Sequence, residues 1–156
     1  MTFARRPSGW RCAACLAFVL GAFAAEDPIV GEWLTSDGSA RVRVAVDGAA
    51  FHGELAWLQS PLGDDGQPRR DEKNPDEAKR GEPVLGLRIV SGLRRDGDGY
   101  GAGTVYDAKS GKTYRCKASL SDGGQKLKLR GFVGVSLFGR TEVWTRVEPE
   151  AAPPAP

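Results

Sequence analysis

The 156-residue chain is poor in the side chains on which most site chemistry rests, with one histidine, three cysteines and one methionine. A lone histidine, His52, excludes centres built on several imidazoles and leaves at most one catalytic base of that kind. Prolines are missing between Pro83 and Pro149, which suits continuous backbone pairing, because proline cannot donate to a sheet ladder. Helical periodicity of useful length is missing as well. The longest uncharged run, Cys12 to Ala25, has 14 residues, short of the roughly 20 that a membrane-spanning helix needs.

That run reads instead as an export signal. Arg5, Arg6 and Arg11 precede it as a basic stretch, and Ala22-Phe23-Ala24 offers the small residues that signal peptidase accepts, so residues 1–24 are expected to be removed before Ala25. A twin-arginine signal would want a strong apolar residue soon after Arg5-Arg6, where Pro7-Ser8-Gly9 stands. Cys12 and Cys15 lie at the start of that run rather than behind it, so lipid attachment is not expected. The expected location is therefore periplasmic or secreted.

Removing the signal changes the balance of charge. Without its three arginines, 19 basic residues face 20 acidic ones, and the net charge falls from +2 to −1. Such a chain lacks the basic surplus of a nucleic-acid binder. Cys116 is then the last cysteine, so no internal disulfide can form. The remaining 132 residues are enough to bury a core without staples.

From Ile29 to Val147 the pattern has period two, in short runs rich in Val, Thr, Tyr and Trp between Gly and Asp turns. Eight strands are predicted, over 29–35, 40–46, 50–58, 85–93, 100–107, 112–120, 126–132 and 140–147. Connections such as Asp107-Ala108-Lys109-Ser110-Gly111 have hairpin length and chemistry, so neighbours should pair antiparallel. The fold class is all-β, an eight-stranded antiparallel up-and-down barrel over 25–147, with a two-sheet sandwich as the alternative. Residues 63–82, with 12 charged side chains in 20, read as a solvated loop in which Asn74-Pro75-Asp76-Glu77 starts a turn or two of helix. Val133 to Gly139 reads as a plug in the barrel end rather than a membrane contact, and 148–156 as a disordered tail.

Gly31-Glu32-Trp33 resembles the Gly-x-Trp signature of lipocalin and calycin barrels. More broadly, five blocks taken in order resemble domain of unknown function family 2147, a group of secreted bacterial proteins. They are Gly31-Glu32-Trp33, Leu55-Ala56-Trp57-Leu58, Val84-Leu85-Gly86-Leu87, Gly111-Lys112-Thr113-Tyr114 and the run from Gly139 to Arg146. The resemblance implies a lipocalin-like barrel, in which Trp33 closes the floor and a final-strand arginine, Arg140 or Arg146, packs on it. It implies no established activity. Many members carry cysteines where Asp47 and His52 stand, so a local disulfide there does not carry over.

Candidate chemistry is sparse. Alternation turns His52 outward, and it turns Cys116 inward between outward Arg115 and Lys117, as an inert core thiol. The acids of 63–82 lack the spacing of a calcium hand loop. Gly99-Tyr100-Gly101-Ala102-Gly103 has no following helix to make a phosphate cradle. No catalytic group, metal site or cofactor is expected, and nothing in the pattern specifies an oligomer. The expected ligand contacts are the aromatics of the barrel interior: Phe51 and Trp57 on one inward face, Tyr114 on another, and Tyr106 nearby. Gly53, Gly101 and Gly103 are expected to leave space beside them. The function these features point to is a carrier of a small hydrophobic or amphipathic molecule. The alternative is a filled barrel, acting non-catalytically at the cell envelope through its charged loop.

Overall fold

The computed structural model describes residues 26–148; the expected signal over 1–24 and nearly all of the expected tail lie outside them. Alternating side chains and tight turns produce eight strands: β1 Gly31–Leu34, β2 Ala40–Asp47, β3 Ala50–Leu58, β4 Arg88–Asp96, β5 Gly99–Asp107, β6 Lys112–Ser121, β7 Lys126–Phe132 and β8 Gly139–Val147. They join in sequence order into a closed barrel. Every pairing is antiparallel, and β1 seals against β8 through Glu32 opposite Val147, Trp33 opposite Arg146 and Leu34 opposite Thr145. The up-and-down barrel is therefore what forms, and no edge of a sandwich is left to aggregate. β4 begins three residues later than the alternation predicts, because Gly86 takes φ +88 and turns the chain before regular pairing starts.

Strand direction sorts the loops. Those after β1, β3, β5 and β7 gather at one end, the mouth, while those after β2, β4 and β6 join the segment before β1 at the floor. At the floor the core is solid, with Ile29, Trp33, Val42, Val44, Phe51, Val90, Leu93, Tyr100 and Leu127 buried. None of the three glycines expected to open space does so: a Cβ at Gly101 would meet the Asp96 carboxylate at 2.9 Å, and the other two lie against the core. A Cβ at Gly53 would meet Val42 and Val90 within 3.3 Å, and one at Gly103 would meet Leu93 within 2.8 Å. These glycines let neighbouring side chains fill the centre of the barrel.

Bulges shift the register at four places, two of them between β3 and β4, and the other two move residues expected at the site. On β3, Trp57 faces Arg41 and Leu55 faces Val42, so Ala56 is an extra residue and everything beyond it changes side. Leu58 turns inward, and Trp57 turns outward beneath the Arg41 guanidinium, 5.2 Å from its ring centre. On β5, Tyr100 faces Ala118 but Gly103 faces Cys116, and Ala102 takes φ +58 to accommodate the extra residue. The barrel's polarity is apolar within and charged without, the reverse of a barrel that crosses an outer membrane. Among the described residues no helix is long and apolar enough to span a bilayer.

Candidate functional site

The mouth half of the barrel is open. A cavity of about 780 Å³ descends from the four mouth loops, a volume within the range of small-molecule sites. Its base and walls are apolar: Leu55, Leu58, Ile89, Val105, Leu129 and Trp144. Polar groups stand higher. Tyr114, Glu142 and Arg140 line the wall, and Lys109 pairs with Asp37 at 3.5 Å on the rim. The rim loop is itself organised, because Asp37 accepts hydrogen bonds from the Ser39 backbone N–H and from the hydroxyls of Ser39 and Thr35. These bonds hold its carboxyl far below the usual carboxylate range.

Three of these wall residues come from one strand. Arg146 faces the floor core, so alternation along β8 sends Trp144, Glu142 and Arg140 to the same inner face. Their register partners Leu127, Leu129 and Gly131 agree. Trp144 is buried, and its indole N–H donates to Glu142 at 3.2 Å. Glu142 thus presents a carboxylate to the cavity with one donor on it among the described residues, while Gly131 opposite Arg140 leaves the wall clear. This pair was open to sequence reading once Arg146 was set inward. The location of the cavity was not, and it depends on which half of the barrel the large side chains fill.

The aromatics expected to contact a ligand separate. Tyr114 lies in the cavity wall. Phe51 is packed edge to face against Tyr100, ring centres 5.4 Å apart, in the floor core away from the cavity. Trp57 is corrected to the outer surface by the bulge at Ala56. Tyr106 follows inward Val105 and faces outward Thr113 across the hairpin; it stands where the main cavity meets a shallower one beside Pro75 and Leu87.

Tyr106 has another task. Its hydroxyl donates to Asp71 at 2.7 Å, and Asn74 Nδ2 donates to the same carboxylate at 2.7 Å. Asp71 and Asn74 are both buried, so the highly charged segment is a strap latched to the barrel and not simply solvated. Burial, together with the hydrogen bond and charge of Asp71, pushes the Tyr106 hydroxyl up to about 12. The helix start expected at Asn74 is reduced to one 3₁₀ turn, Glu77–Lys79, capped by Asp76. Removing the hydroxyl by Tyr106→Phe leaves a buried carboxylate short of a donor, a loss of about 1–3 kcal/mol. The strap offers trypsin Arg69, Arg70, Lys73, Lys79 and Arg80, and cleavage there is expected to rise about tenfold in that variant. Unchanged digestion would mean that the latch does not hold the strap.

The remaining sequence candidates are quiet. His52 lies outside, its Nδ1 accepting from the Gly92 N–H at 3.4 Å. Cys116 is buried on the inner face, and burial pushes its thiol up to about 12. At pH 8 it should therefore resist alkylation while folded and react on unfolding, which peptide mapping after a timed pulse will show. Labelling at the same rate in both states would place the thiol at the surface.

The floor is tied together by Arg146, the one of the two final-strand arginines that stacks on Trp33, with its guanidinium carbon 4.2 Å from the ring centre. Arg146 also donates to the carbonyls of Gly124, Val30 and Pro28. Asp27 caps the same end, accepting from Tyr100, Arg95 and the Ile29 N–H. Burial raises its carboxyl, but these bonds outweigh that and leave it below the usual value.

Comparison with known proteins agrees with this architecture. The family model described as "Uncharacterized protein conserved in bacteria (DUF2147)" matches residues 31–146. Protein HP1028 from the human pathogen Helicobacter pylori, described as belonging to the lipocalin family, has a similar solved structure, with a TM-score of 0.66 and 21% identity over 76% of this chain and 82% of that one. No curated protein sequence matches.

Proposed function

Because the chain belongs to the bacterial family DUF2147 and folds as a closed lipocalin-like barrel, we propose that it is a non-catalytic carrier. It holds a small amphipathic molecule in the mouth cavity. The observation that carries this reading is the division of the barrel into a solid floor and an open, apolar mouth with polar groups above it. A filled barrel would have no such division. The apolar part of the ligand rests on Trp144, Leu129 and Leu55, where burying its surface provides most of the binding free energy. Its polar part meets Tyr114, Glu142 and Arg140. In this proposal the carrier works in the periplasm or outside the cell, to which residues 1–24 direct it as a signal peptide.

Native mass spectrometry of protein isolated from its own cells, followed by extraction under denaturing conditions, tests this reading. A reproducible extra mass that disappears on unfolding supports it and identifies the ligand. A bare chain that also fails to take up a hydrophobic fluorescent dye overturns it. The observed mass further shows whether the signal has been removed.

A further inference from the structure

The hairpin between β7 and β8 is not the plug that its apolar sequence predicts. Val133, Val135, Leu137 and Phe138 are 70%, 62%, 78% and 76% exposed. The loop is nevertheless held in place. Arg130 donates to the carbonyls of Ser136 at 2.7 Å and Leu137 at 3.0 Å, and Lys117 reaches the Ser136 hydroxyl at 3.3 Å. Its polar backbone is thus tied to the barrel wall while its apolar side chains stand in water, at a cost proportional to their exposed area.

The wall below it carries charge of one sign. The outward positions Arg115, Lys117 and Ser119 of β6, Lys128 and Arg130 of β7, and Thr141 and Val143 of β8 include four cations and no carboxylate. None of the four forms an ion pair among the described residues. Register places Lys117 directly opposite Arg130, and like charges so placed destabilise a sheet. Lys117 and Arg130 repel each other yet both hold the loop, and fold stability does not account for the bare apolar tip that they hold in place.

We infer that this hairpin and the basic wall form a docking surface for an anionic lipid bilayer. The apolar tip enters the boundary between headgroups and acyl chains, and the cations meet headgroup phosphates, as interfacial elements of this composition do. An acidic protein would satisfy the cations alone; four exposed apolar side chains beside them favour lipid. Val133, Leu137 and Phe138 also border the cavity, so docking brings the mouth to the membrane and lets an apolar ligand exchange without crossing water. The inference rests on the carrier reading for its purpose, while its test is independent of that reading.

The test uses protein recovered from expression of the full chain and vesicles of either phosphatidylglycerol or phosphatidylcholine. In a Phe138→Trp variant, the emission remaining after subtraction of the wild-type signal should shift to the blue with phosphatidylglycerol vesicles and much less with phosphatidylcholine. Lys117→Glu, and separately Leu137→Ser with Phe138→Ser, should each weaken partitioning about tenfold. These positions are exposed, and an unchanged thermal melt confirms that the barrel is intact. The inference is overturned by absence of the shift, by partitioning indifferent to the substitutions, or by binding to polyglutamate that matches vesicle binding without any shift. A Gly131→Leu variant that no longer binds dye should still partition; if wild type partitions but never takes up dye, the carrier reading fails alone.

Discussion

Replacing Trp33 with alanine is expected to lower the unfolding free energy by about 3–5 kcal/mol, the usual cost of emptying a large buried aromatic site. Three features place this side chain at the upper end of core substitutions. It is fully buried, its indole N–H donates to the Ile29 carbonyl at 2.9 Å, and its ring supports the Arg146 guanidinium. Removing the ring therefore opens a cavity, orphans a buried carbonyl and releases the side chain that ties three floor carbonyls together. Arg146→Lys keeps the charge but loses the planar fork that reaches those carbonyls, and a smaller loss of about 1–3 kcal/mol is expected. Urea melts of the two variants and the wild type decide the matter. A loss below about 1 kcal/mol for Trp33→Ala, well short of the normal range for such sites, would remove Trp33 from its place as the floor of the barrel.

The second large effect is on binding. Gly131 lies on the inner face opposite Arg140 and Cys116, and a Cβ there would sit 3.4 Å from Val105 and 3.7 Å from Tyr114, which is ordinary contact. Its backbone is not among the left-handed glycines, so a side chain brings no strain. Gly131→Ala should fold and bind a hydrophobic dye much like the wild type. Gly131→Leu should fold equally well, since a branched or aliphatic side chain suits a strand better than glycine does. Its added carbons, however, project into the cavity between Tyr114 and Arg140. Dye affinity is expected to fall by at least about tenfold, or 1.4 kcal/mol. The contrast between the two variants separates loss of space from loss of fold. If the leucine variant melts like wild type and still binds the dye fully, the cavity is not the binding site.

Much of this molecule is legible in one dimension. Period-two alternation marks the strands, and hairpin-length turns make sequential neighbours antiparallel. Gly31-Glu32-Trp33 near the start and, through the family resemblance, an arginine of the last strand mark where the barrel closes, though not whether that arginine is Arg140 or Arg146. The alternation and the turns are local, because each depends on residues within a few positions of one another, and backbone geometry leaves few ways to satisfy them.

What the alternation could not supply was its own phase. One extra residue at Ala56 turned Trp57 from the interior to the surface, and another near Ala102 put Val105 on the inner face and moved Tyr106 to the cavity's margin. A bulge forms where strand twist and partner packing require it; the glycines around Ala102 hinted at a bend, and no residue type announced the one at Ala56. Burial of Asp71 was equally hidden. In sequence it is one of the twelve charged residues of 63–82, and only the strap's return across the β5–β6 hairpin brings it to Tyr106. The cavity itself belongs to tertiary structure, since it records where the large side chains from eight strands meet and where they do not. The chain alone determined that a barrel forms, through short-range patterning; which half of it is hollow, and what the hollow presents, was decided by long-range packing.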